Sequence, residues 1–234
     1  MRVVIGGSSG FGSYVVERCV SQNIPVCYTY RNAVHESQNH WDLQTKKVFS
    51  CKFNLSEKSD TKKLVSYIKN LDEEVVSVII CASSHSRRAP LSNFDWDEFQ
   101  TTLKINVVGT FEVIKNFVPL LENKTNSSIT ILSSKVAHTG GFRIYPYTAS
   151  KGALRSMLPA LARELAEKNI KINMISPAKL INSSPSDLKQ TVTSGGISYQ
   201  ELYQLLEVLI CNQTSFLTGR DFLLEADRAT VVQI

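Results

Sequence analysis

The chain has 234 residues, of which 43% are hydrophobic and 20% charged, and its formal net charge is +5. This length fits one domain over residues 1–234, and the composition is that of a globular protein, so we do not expect a disordered chain. The basic residues are scattered singles and short pairs such as Lys46-Lys47, so we expect no nucleic-acid partner, which would require a clustered basic stripe.

Short apolar runs rich in Val, Ile and aromatic residues alternate along the chain with longer segments of helical periodicity. The runs predict strands at residues 3–5, 26–30, 48–53, 75–81, 129–132, 170–175 and 222–224. The longer segments predict helices at residues 11–21, 59–71, 94–121, 147–168 and 199–209. This alternation indicates an α/β fold: a single-domain, Rossmann-like, doubly wound parallel sheet with helices on both faces. Such sheets bind ligands in the crevice at the carboxyl ends of their strands.

The first predicted strand leads directly into a glycine-rich turn, Gly6-x-x-x-Gly10-x-Gly12, followed by a helix. Glycines there permit a tight turn and close approach of the backbone to a pyrophosphate, which the helix N-terminus stabilises. An ordinary glycine-rich turn between strand and helix is the structural alternative. The position of the turn favours dinucleotide binding.

The second predicted strand ends at Tyr30, and Arg31 follows it, 19 positions after Gly12. An acid near this position binds the ribose 2′-hydroxyl of NAD, whereas an arginine suits the 2′-phosphate of NADP. The nearest acid is Glu36. The sequence therefore favours NADP(H), although Arg31 as a solvated loop residue is the alternative.

Two polar residues stand at unusual positions later in the chain. Asn106 lies inside an apolar helical segment, where an amide is locally unfavourable. It either bonds the backbone or holds a water that connects a lysine to solvent. Ser134 follows the strand at 129–132, so its hydroxyl either satisfies local backbone groups or faces the crevice, where it can donate to a substrate carbonyl.

Tyr147 and Lys151 open a predicted helix at a spacing of four, which puts both side chains on one helical face. A free tyrosine has a pKa near 10. A neighbouring ammonium favours the phenolate, so we expect Lys151 to lower the pKa of Tyr147 toward the working range of a general acid or base. The alternative is a half-buried aromatic residue beside a surface charge.

The cysteines and the apolar runs bear on location. Five cysteines, an odd number with no Cys-x-x-Cys spacing, indicate free thiols in a reducing compartment, and those at 27, 51 and 81 lie in strand-like runs where we expect burial. The chain opens without the apolar stretch of a signal peptide, and it contains no run of about 18 apolar residues. We expect a cytoplasmic protein with no membrane partner.

Together these residues resemble the short-chain dehydrogenase/reductase family, in its short single-domain branch, and most closely 3-oxoacyl-carrier-protein reductases and related ketoreductases. The resemblance rests on the glycine turn, on Asn106, Ser134, Tyr147 and Lys151, and on residues 172–177, which are similar to the family's strand and Pro-containing loop. It implies that Tyr147 is the general acid, that Ser134 orients the carbonyl, that Lys151 tunes Tyr147 and binds the nicotinamide ribose, and that Asn106 supports a water relay.

The resemblance also implies a cofactor site, a homodimer or homotetramer paired through the helices that carry Asn106 and Lys151, and a substrate lid at about residues 178–200. No metal is implied. The implied cofactor residues are Gly6, Ser8, Ser9, Gly10, Phe11, Gly12, Tyr30, Arg31, Asn54, Leu55, Cys81, Ala82, Ser83, Tyr147, Lys151, Pro177, Ala178 and Leu180.

The chain departs from the family pattern at several positions. The family's Asn-Asn-Ala-Gly stretch is replaced by Ile80-Cys81-Ala82-Ser83, its acid after the third strand is Asn54, and its Pro-Gly is Pro177-Ala178. Two hypotheses follow: an NADP(H)-dependent oxidoreductase that interconverts a ketone and a secondary alcohol, acting on a 3-oxoacyl thioester, a keto sugar or a secondary-metabolite intermediate, or a catalytically silent NADP-binding sensor or regulator. The intact residues Asn106, Ser134, Tyr147 and Lys151 favour the enzyme.

Overall fold

The computed structural model describes residues 1–32, 47–181, 196–210 and 217–225. Seven of its strands form one parallel sheet, and two short strands form a separate pair. The strands are β1 (Arg2–Ile5), β2 (Val26–Tyr30), β3 (Val48–Lys52), β4 (Ser77–Ile80), β5 (Ser127–Leu132), β6 (Ile170–Pro177), β7 (Leu180–Ile181), β8 (Ile197–Ser198) and β9 (Asp221–Leu224).

The helices lie between these strands. They are α1 (Gly10–Ser21), α2 (Lys58–Lys69), α3 (Trp96–Leu103), α4 (Thr110–Leu121), α5 (Val136–Thr139), α6 (Tyr145–Ala166) and α7 (Tyr199–Ile210), with a 3₁₀ turn at Leu91–Asn93 and a π-helical turn at Lys104–Gly109. The fold class predicted from the sequence, a doubly wound parallel sheet with helices on both faces, is confirmed.

The strand order is β3-β2-β1-β4-β5-β6-β9. The first strand, β1, pairs in parallel with β2 on one side and with β4 on the other. The order of the strands along the chain therefore reverses beside β1, and a crevice opens there at the carboxyl ends of the strands. The loops that follow β1, β2, β4 and β5 all begin at this edge of the sheet.

Two apolar layers cover the faces of the sheet. On one face, α2, α4 and α6 bury side chains such as Leu64, Phe117 and Leu154 against the strands. On the other face, α1 and α7 contribute Val15 and Leu206, among others. The strands are apolar on both sides, as the sequence pattern predicted, because helices exclude water from both faces.

The prediction of one long helix at 94–121 is wrong in one respect. The segment consists of two helices, α3 and α4, joined by the π-helical turn Lys104–Gly109. The turn lets the chain pack closely at Gly109, where an added Cβ would lie 2.2 Å from the carbonyl oxygen of Leu55. The spacing of apolar residues in the sequence does not reveal a helical turn that contains one extra residue. The consequence is a buried position for Asn106, which lies inside this turn.

The prediction that three strand cysteines are buried is confirmed for Cys27 and only in part for Cys51 and Cys81. Cys51 and Cys81 are partly exposed, because β3 is an edge strand and Cys81 follows the end of β4 into the crevice. Burial raises the pKa of the Cys27 thiol to about 12. Cys211 lies outside the described residues. Across the described ranges, no helix is both long and apolar enough to cross a bilayer.

The core under α2 provides a test of this packing. Leu64 is fully buried on α2, whereas Lys62 on the same helix is exposed. We expect Leu64→Ala to lower the free energy of unfolding by about 2–5 kcal/mol, since it leaves a cavity, and Lys62→Ala to change it by about 0.5 kcal/mol or less. Urea denaturation of the two variants measures both values, and equal small effects would contradict the described packing of α2.

Candidate active site

A cleft of about 440 Å³ lies at the carboxyl ends of the strands, beside the reversal of strand order. It is lined by the loops that follow β1, β2, β3 and β4, and by parts of the chain near β5, β7 and α7. These residues are Gly6, Ser8, Ser9, Gly10, Phe11, Gly12, Thr29, Tyr30, Arg31, Phe53, Asn54, Leu55, Cys81, Ala82, Ser83, Ser84, His85, Ile105, Leu132, Leu180 and Tyr199.

The glycine turn is tightly packed at its first and last glycines. Gly6 has a φ of +84°, and a Cβ at this position would lie 2.8 Å from Ala82. A Cβ on Gly12 would lie 2.1 Å from the carbonyl oxygen of Gly6. Both positions therefore require glycine. Because the first three residues of α1 line the cleft, the positive end of the helix and its first N–H groups can bind a phosphate there.

Arg31 is exposed and lines the same cleft beside Tyr30. Among the described residues of the cleft lining, none is acidic. The electrostatic environment at the end of β2 therefore suits an anionic group. Asn54 also lines the cleft, and its Oδ1 accepts hydrogen bonds from the backbone N–H and the hydroxyl of Ser56. The oxygen of this amide is thus used within its own turn.

Tyr147 lies in the first turn of α6, which begins at Tyr145, two residues earlier than predicted, and carries a proline at its start. Lys151 lies one turn further along the helix. The two side chains face the same way: Lys151 Nζ is 5.6 Å from the centre of the Tyr147 ring. Lys151 Nζ also donates a hydrogen bond of 2.9 Å to the carbonyl oxygen of Leu132, the last residue of β5. Tyr147 and Lys151 are 7% and 2% exposed.

The Tyr147 side chain hydrogen-bonds the side chains of two serines that come from different loops. One is Ser134, which follows β5 as predicted, and the other is Ser83, which follows β4. The imidazole of His85 packs against the Tyr147 ring, with the ring centres 4.7 Å apart and an angle of 31° between the planes. Thus a phenol, two hydroxyls, an ammonium and an imidazole lie together.

Asn106 reaches this cluster from the π-helical turn. Its Oδ1 accepts a hydrogen bond of 2.7 Å from the Ser84 N–H, and its Nδ2 donates to the Ser84 carbonyl oxygen at 2.8 Å and to Ser150 Oγ at 2.9 Å. The side chain therefore joins the loop after β4 to α6. This is the backbone-bonding alternative that the sequence left open. The water relay stays a prediction, and it cannot use the amide hydrogens, because both are already donated.

The family model for short chain dehydrogenases matches residues 1–189. This chain belongs to the short-chain dehydrogenase family. The resemblance inferred from the sequence is therefore confirmed, and the chain is a member of a family of oxidoreductases.

One relative and three solved structures illustrate the similarity. Carbonyl reductase family member 4 of Xenopus laevis is 27% identical over 187 residues, which are 80% of this chain and 78% of that protein. A putative 3-oxoacyl-reductase from Bacillus thuringiensis superposes with a TM-score of 0.87 at 18% identity, over 99% of this chain and 98% of that one.

The other two solved structures have a dinucleotide in the crystal. A blue fluorescent protein from a metagenomic library, in complex with NADPH, has a TM-score of 0.83 at 18% identity and 98% and 97% coverage. A short chain dehydrogenase from Leptospira borgpetersenii, with bound NAD⁺, has a TM-score of 0.82 at 19% identity and 96% and 91% coverage. At these identities the structures show that the fold is shared.

Burial dominates the electrostatics of this short-chain dehydrogenase site. It lowers the pKa of Lys151 to about 8, because the ammonium is withdrawn from water. It also raises the pKa of Tyr147, and hydrogen bonds from Ser134 and Ser83 only partly oppose this. The expectation that Lys151 lowers the pKa of Tyr147 is therefore wrong for this structure. Loss of hydration of the phenolate outweighs the other contributions, and the two serines, rather than the lysine, favour the ionised form.

Most of the cofactor residues implied by the sequence line the cleft, but Tyr147, Lys151, Pro177 and Ala178 do not. Pro177 accepts a hydrogen bond from the Lys135 N–H, and Ala178 donates its N–H to the carbonyl oxygen of Leu224, so both hold neighbouring loops together. The predicted lid falls largely on residues 182–195, outside the described residues. The described residues on either side of this gap pair with each other, because Leu180 in β7 lies opposite Ile197 in β8.

Sequence reasoning missed several residues of the cleft. Thr29 holds the glycine turn, since its Oγ1 accepts a hydrogen bond of 2.8 Å from the Gly6 N–H. Ser84 and His85 follow β4 at the crevice edge, and that position was the signal that could have identified them. Tyr199 reaches the cleft from the start of α7, and no motif marks it. Phe53, Ile105 and Leu132 also line the cleft.

The buried ammonium predicts a pH-dependent effect on stability. The pKa of Lys151 falls from its ordinary 10.5 to about 8 on folding, so between these values the unfolded chain binds more protons and stability rises with pH. At pH 7 the penalty is about 3 kcal/mol, less about 1 kcal/mol for the bond to Leu132. We therefore expect Lys151→Met to be about 2 kcal/mol more stable than the wild type at pH 7 and nearly equal to it at about pH 9.5.

Denaturant unfolding at the two pH values measures this difference. Lys115→Met, at an exposed lysine of α4, is the control and is expected to change the unfolding free energy by about 0.5 kcal/mol or less at both values. A Lys151→Met variant that is less stable than the wild type at pH 7 would show that the ammonium is not desolvated.

Proposed function

We propose that this protein is an NADP(H)-dependent oxidoreductase that interconverts a ketone and a secondary alcohol, with Tyr147 as the general acid in reduction and the general base in oxidation. The observation that carries the proposal is the position of the Tyr147 phenol. It hydrogen-bonds Ser134 and has the Lys151 ammonium beside its ring, at the crevice end of the sheet where the glycine-turn cleft opens.

The cleft fits a nicotinamide dinucleotide. The glycine turn and the first residues of α1 would hold the pyrophosphate, and the residues after β4 and β5 would border the nicotinamide end. A bound nicotinamide supplies the hydride for the carbonyl carbon. Related folds hold NADPH in one case and NAD⁺ in another. The choice of NADP(H) therefore rests on this chain's Arg31, which stands in the cleft without an acidic neighbour among the described lining residues.

The proton chemistry follows from the cluster around Tyr147. As the carbonyl carbon is reduced, negative charge develops on its oxygen, and the Tyr147 phenol gives its proton to that oxygen. The Ser134 hydroxyl donates a hydrogen bond to the same oxygen and stabilises the developing charge. The Lys151 ammonium, which donates to the Leu132 carbonyl oxygen, adds positive potential and would donate to the ribose of a bound nicotinamide. Asn106 keeps the loop after β4 against α6.

The substrate class is a ketone, such as a 3-oxoacyl thioester, a keto sugar or a secondary-metabolite intermediate. Support for it comes from the similarity to a carbonyl reductase and from a shared fold with a putative 3-oxoacyl-reductase. A catalytically silent NADP-binding sensor remains the alternative function. The clustered groups around Tyr147 argue against it, because a sensor has no need of a proton donor held in this way.

We also propose a homodimer or homotetramer that pairs through the helices carrying Asn106 and Lys151. Val108 in the π-helical turn and Phe111 in α4 support it, since these apolar side chains are 44% and 41% exposed in the single chain. Pairing would remove them from water.

The role of Tyr147 is tested by Tyr147→Phe, which removes the hydroxyl and keeps the ring. With a panel of β-keto thioesters, keto sugars and small ketones, we expect kcat for NADPH consumption to fall by about 10²–10⁴-fold, because no acid remains to protonate the oxygen. The matched control is Tyr145→Phe in the same turn, which should keep the wild-type rate. Tight NADPH binding by the wild-type protein without turnover of any substrate would instead support the sensor.

Cofactor preference is tested at Arg31. We expect Arg31→Ala to raise KM for NADPH by about tenfold or more and to leave KM for NADH nearly unchanged, since only the first carries a 2′-phosphate for a charge-assisted bond. Arg88→Ala, an exposed arginine that does not line the cleft, serves as the control. Steady-state kinetics with each cofactor measure the effect, and parallel rises for both would defeat the assignment.

A further inference from the structure

The loop after β4 contacts the proposed proton donor directly. The Ser83 side chain hydrogen-bonds Tyr147, and the His85 ring packs 4.7 Å from the Tyr147 ring. The sequence marked this stretch as a departure from the family pattern, where Asn-Asn-Ala-Gly is replaced by Ile80-Cys81-Ala82-Ser83. Ser83, the last residue of this stretch, therefore lies beside the reacting group.

The backbone on each side of Ser83 is fixed. Before it, the N–H groups of Cys81 and Ala82 both donate to the carbonyl oxygen of Ile5, each at 2.9 Å. After it, Asn106 bonds the N–H and the carbonyl oxygen of Ser84 at 2.7 and 2.8 Å. A residue held between two such anchors has little freedom to move its Cβ. The Ser83 hydroxyl is therefore positioned at Tyr147 by the fold.

We propose that Ser83 is a further catalytic residue, whose hydroxyl donates a hydrogen bond to the Tyr147 oxygen and stabilises the phenolate that remains after proton transfer. The proposal rests on the function proposed above for Tyr147. It assigns a role to a residue that distinguishes this loop, because the glycine at the corresponding place of the family stretch has no hydroxyl to donate.

The two serines then have different tasks. During reduction the Tyr147 O–H bond breaks, its proton moves to the substrate oxygen, and the electron pair stays on the phenolate oxygen. Ser134 turns its hydroxyl toward the substrate oxygen, where charge first develops. Ser83 keeps its own proton and remains bonded to the phenolate. The proton returns to Tyr147 from solvent before the next turnover, so Ser83 is unchanged over the cycle.

The neighbouring imidazole and thiol are neutral, so they leave stabilisation of the phenolate to the hydroxyls. Burial, followed by the nearby Lys151 charge, lowers the pKa of His85, so its imidazole is neutral at pH 7 and supports the Tyr147 ring by packing. Burial raises the pKa of Cys81 to about 12, so its thiol is neutral as well. Lys151 is the cationic group beside Tyr147, and its Nζ is bonded to the carbonyl oxygen of Leu132.

The test measures ionisation of Tyr147 without requiring a substrate. The full-length protein is labelled with 3-fluorotyrosine, whose phenol ionises at lower pH than that of tyrosine, and each of its eight tyrosines contributes to the ¹⁹F NMR spectrum. The resonance that disappears in Tyr147→Phe is assigned to Tyr147. Its pKa is then measured by titration with NADP⁺ present in the wild type, Ser83→Ala, Ser83→Thr and Ser86→Ala.

We expect Ser83→Ala to raise the pKa of Tyr147 by about one pH unit, the worth of one hydrogen bond to a charged acceptor, and Ser83→Thr to restore it. Ser86→Ala removes a nearby buried hydroxyl that has no hydrogen-bond partner among the described residues, and it should cause no shift. For any ketone that the wild type reduces, kcat of Ser83→Ala should fall about tenfold with KM for NADPH unchanged.

An unchanged pKa of Tyr147 in folded Ser83→Ala would overturn the proposal. A rise in KM for NADPH with kcat unchanged would also overturn it, because Ser83 would then be a cofactor ligand. Failure of the wider function gives a different result. In that case Tyr147→Phe keeps the wild-type turnover, whatever Ser83→Ala does to the pKa of Tyr147.

Discussion

The site depends on one buried positive charge. Lys151 is almost entirely removed from water, and its ammonium is held by a single described backbone acceptor, the carbonyl oxygen of Leu132. Desolvation of this kind costs free energy and lowers the pKa of the lysine. A protein keeps such a group only where the surrounding structure offsets its free-energy cost. Here the buried ammonium lies beside a phenol at the crevice of the sheet.

The parallel sheet brings the other groups to that charge. Strand β5 ends beside Lys151, and the chain continues from there to Ser134. Strand β4 ends at the loop that carries Ser83 and His85. Asn106 connects this loop to α6 through three hydrogen bonds. Residues far apart in sequence thereby meet around Tyr147, and the geometry of the proton donor is set by strand ends and one amide.

The sequence was sufficient for the fold and for most of the site, because both depend on local patterns. Alternating apolar runs identified the strands, and a spacing of four placed Tyr147 and Lys151 on one face. The contacts of Ser83 and His85 with Tyr147 were missed, since they join β4 to α6 and no local spacing records them. The pKa shift of Tyr147 was predicted with the wrong sign, because pairwise charge was considered and burial was not. The π-helical turn at Lys104–Gly109 was invisible to helical periodicity.

Lys151 is a desolvated ammonium that loses its proton far more readily than an ordinary lysine. NMR titration of protein labelled at lysine ¹³Cε measures this directly, with the Lys151 resonance assigned by its absence in Lys151→Met. We expect a midpoint near pH 8 for this one resonance. A midpoint near the ordinary 10.5 would mean that water reaches the ammonium, and the buried charge on which the site depends would not exist.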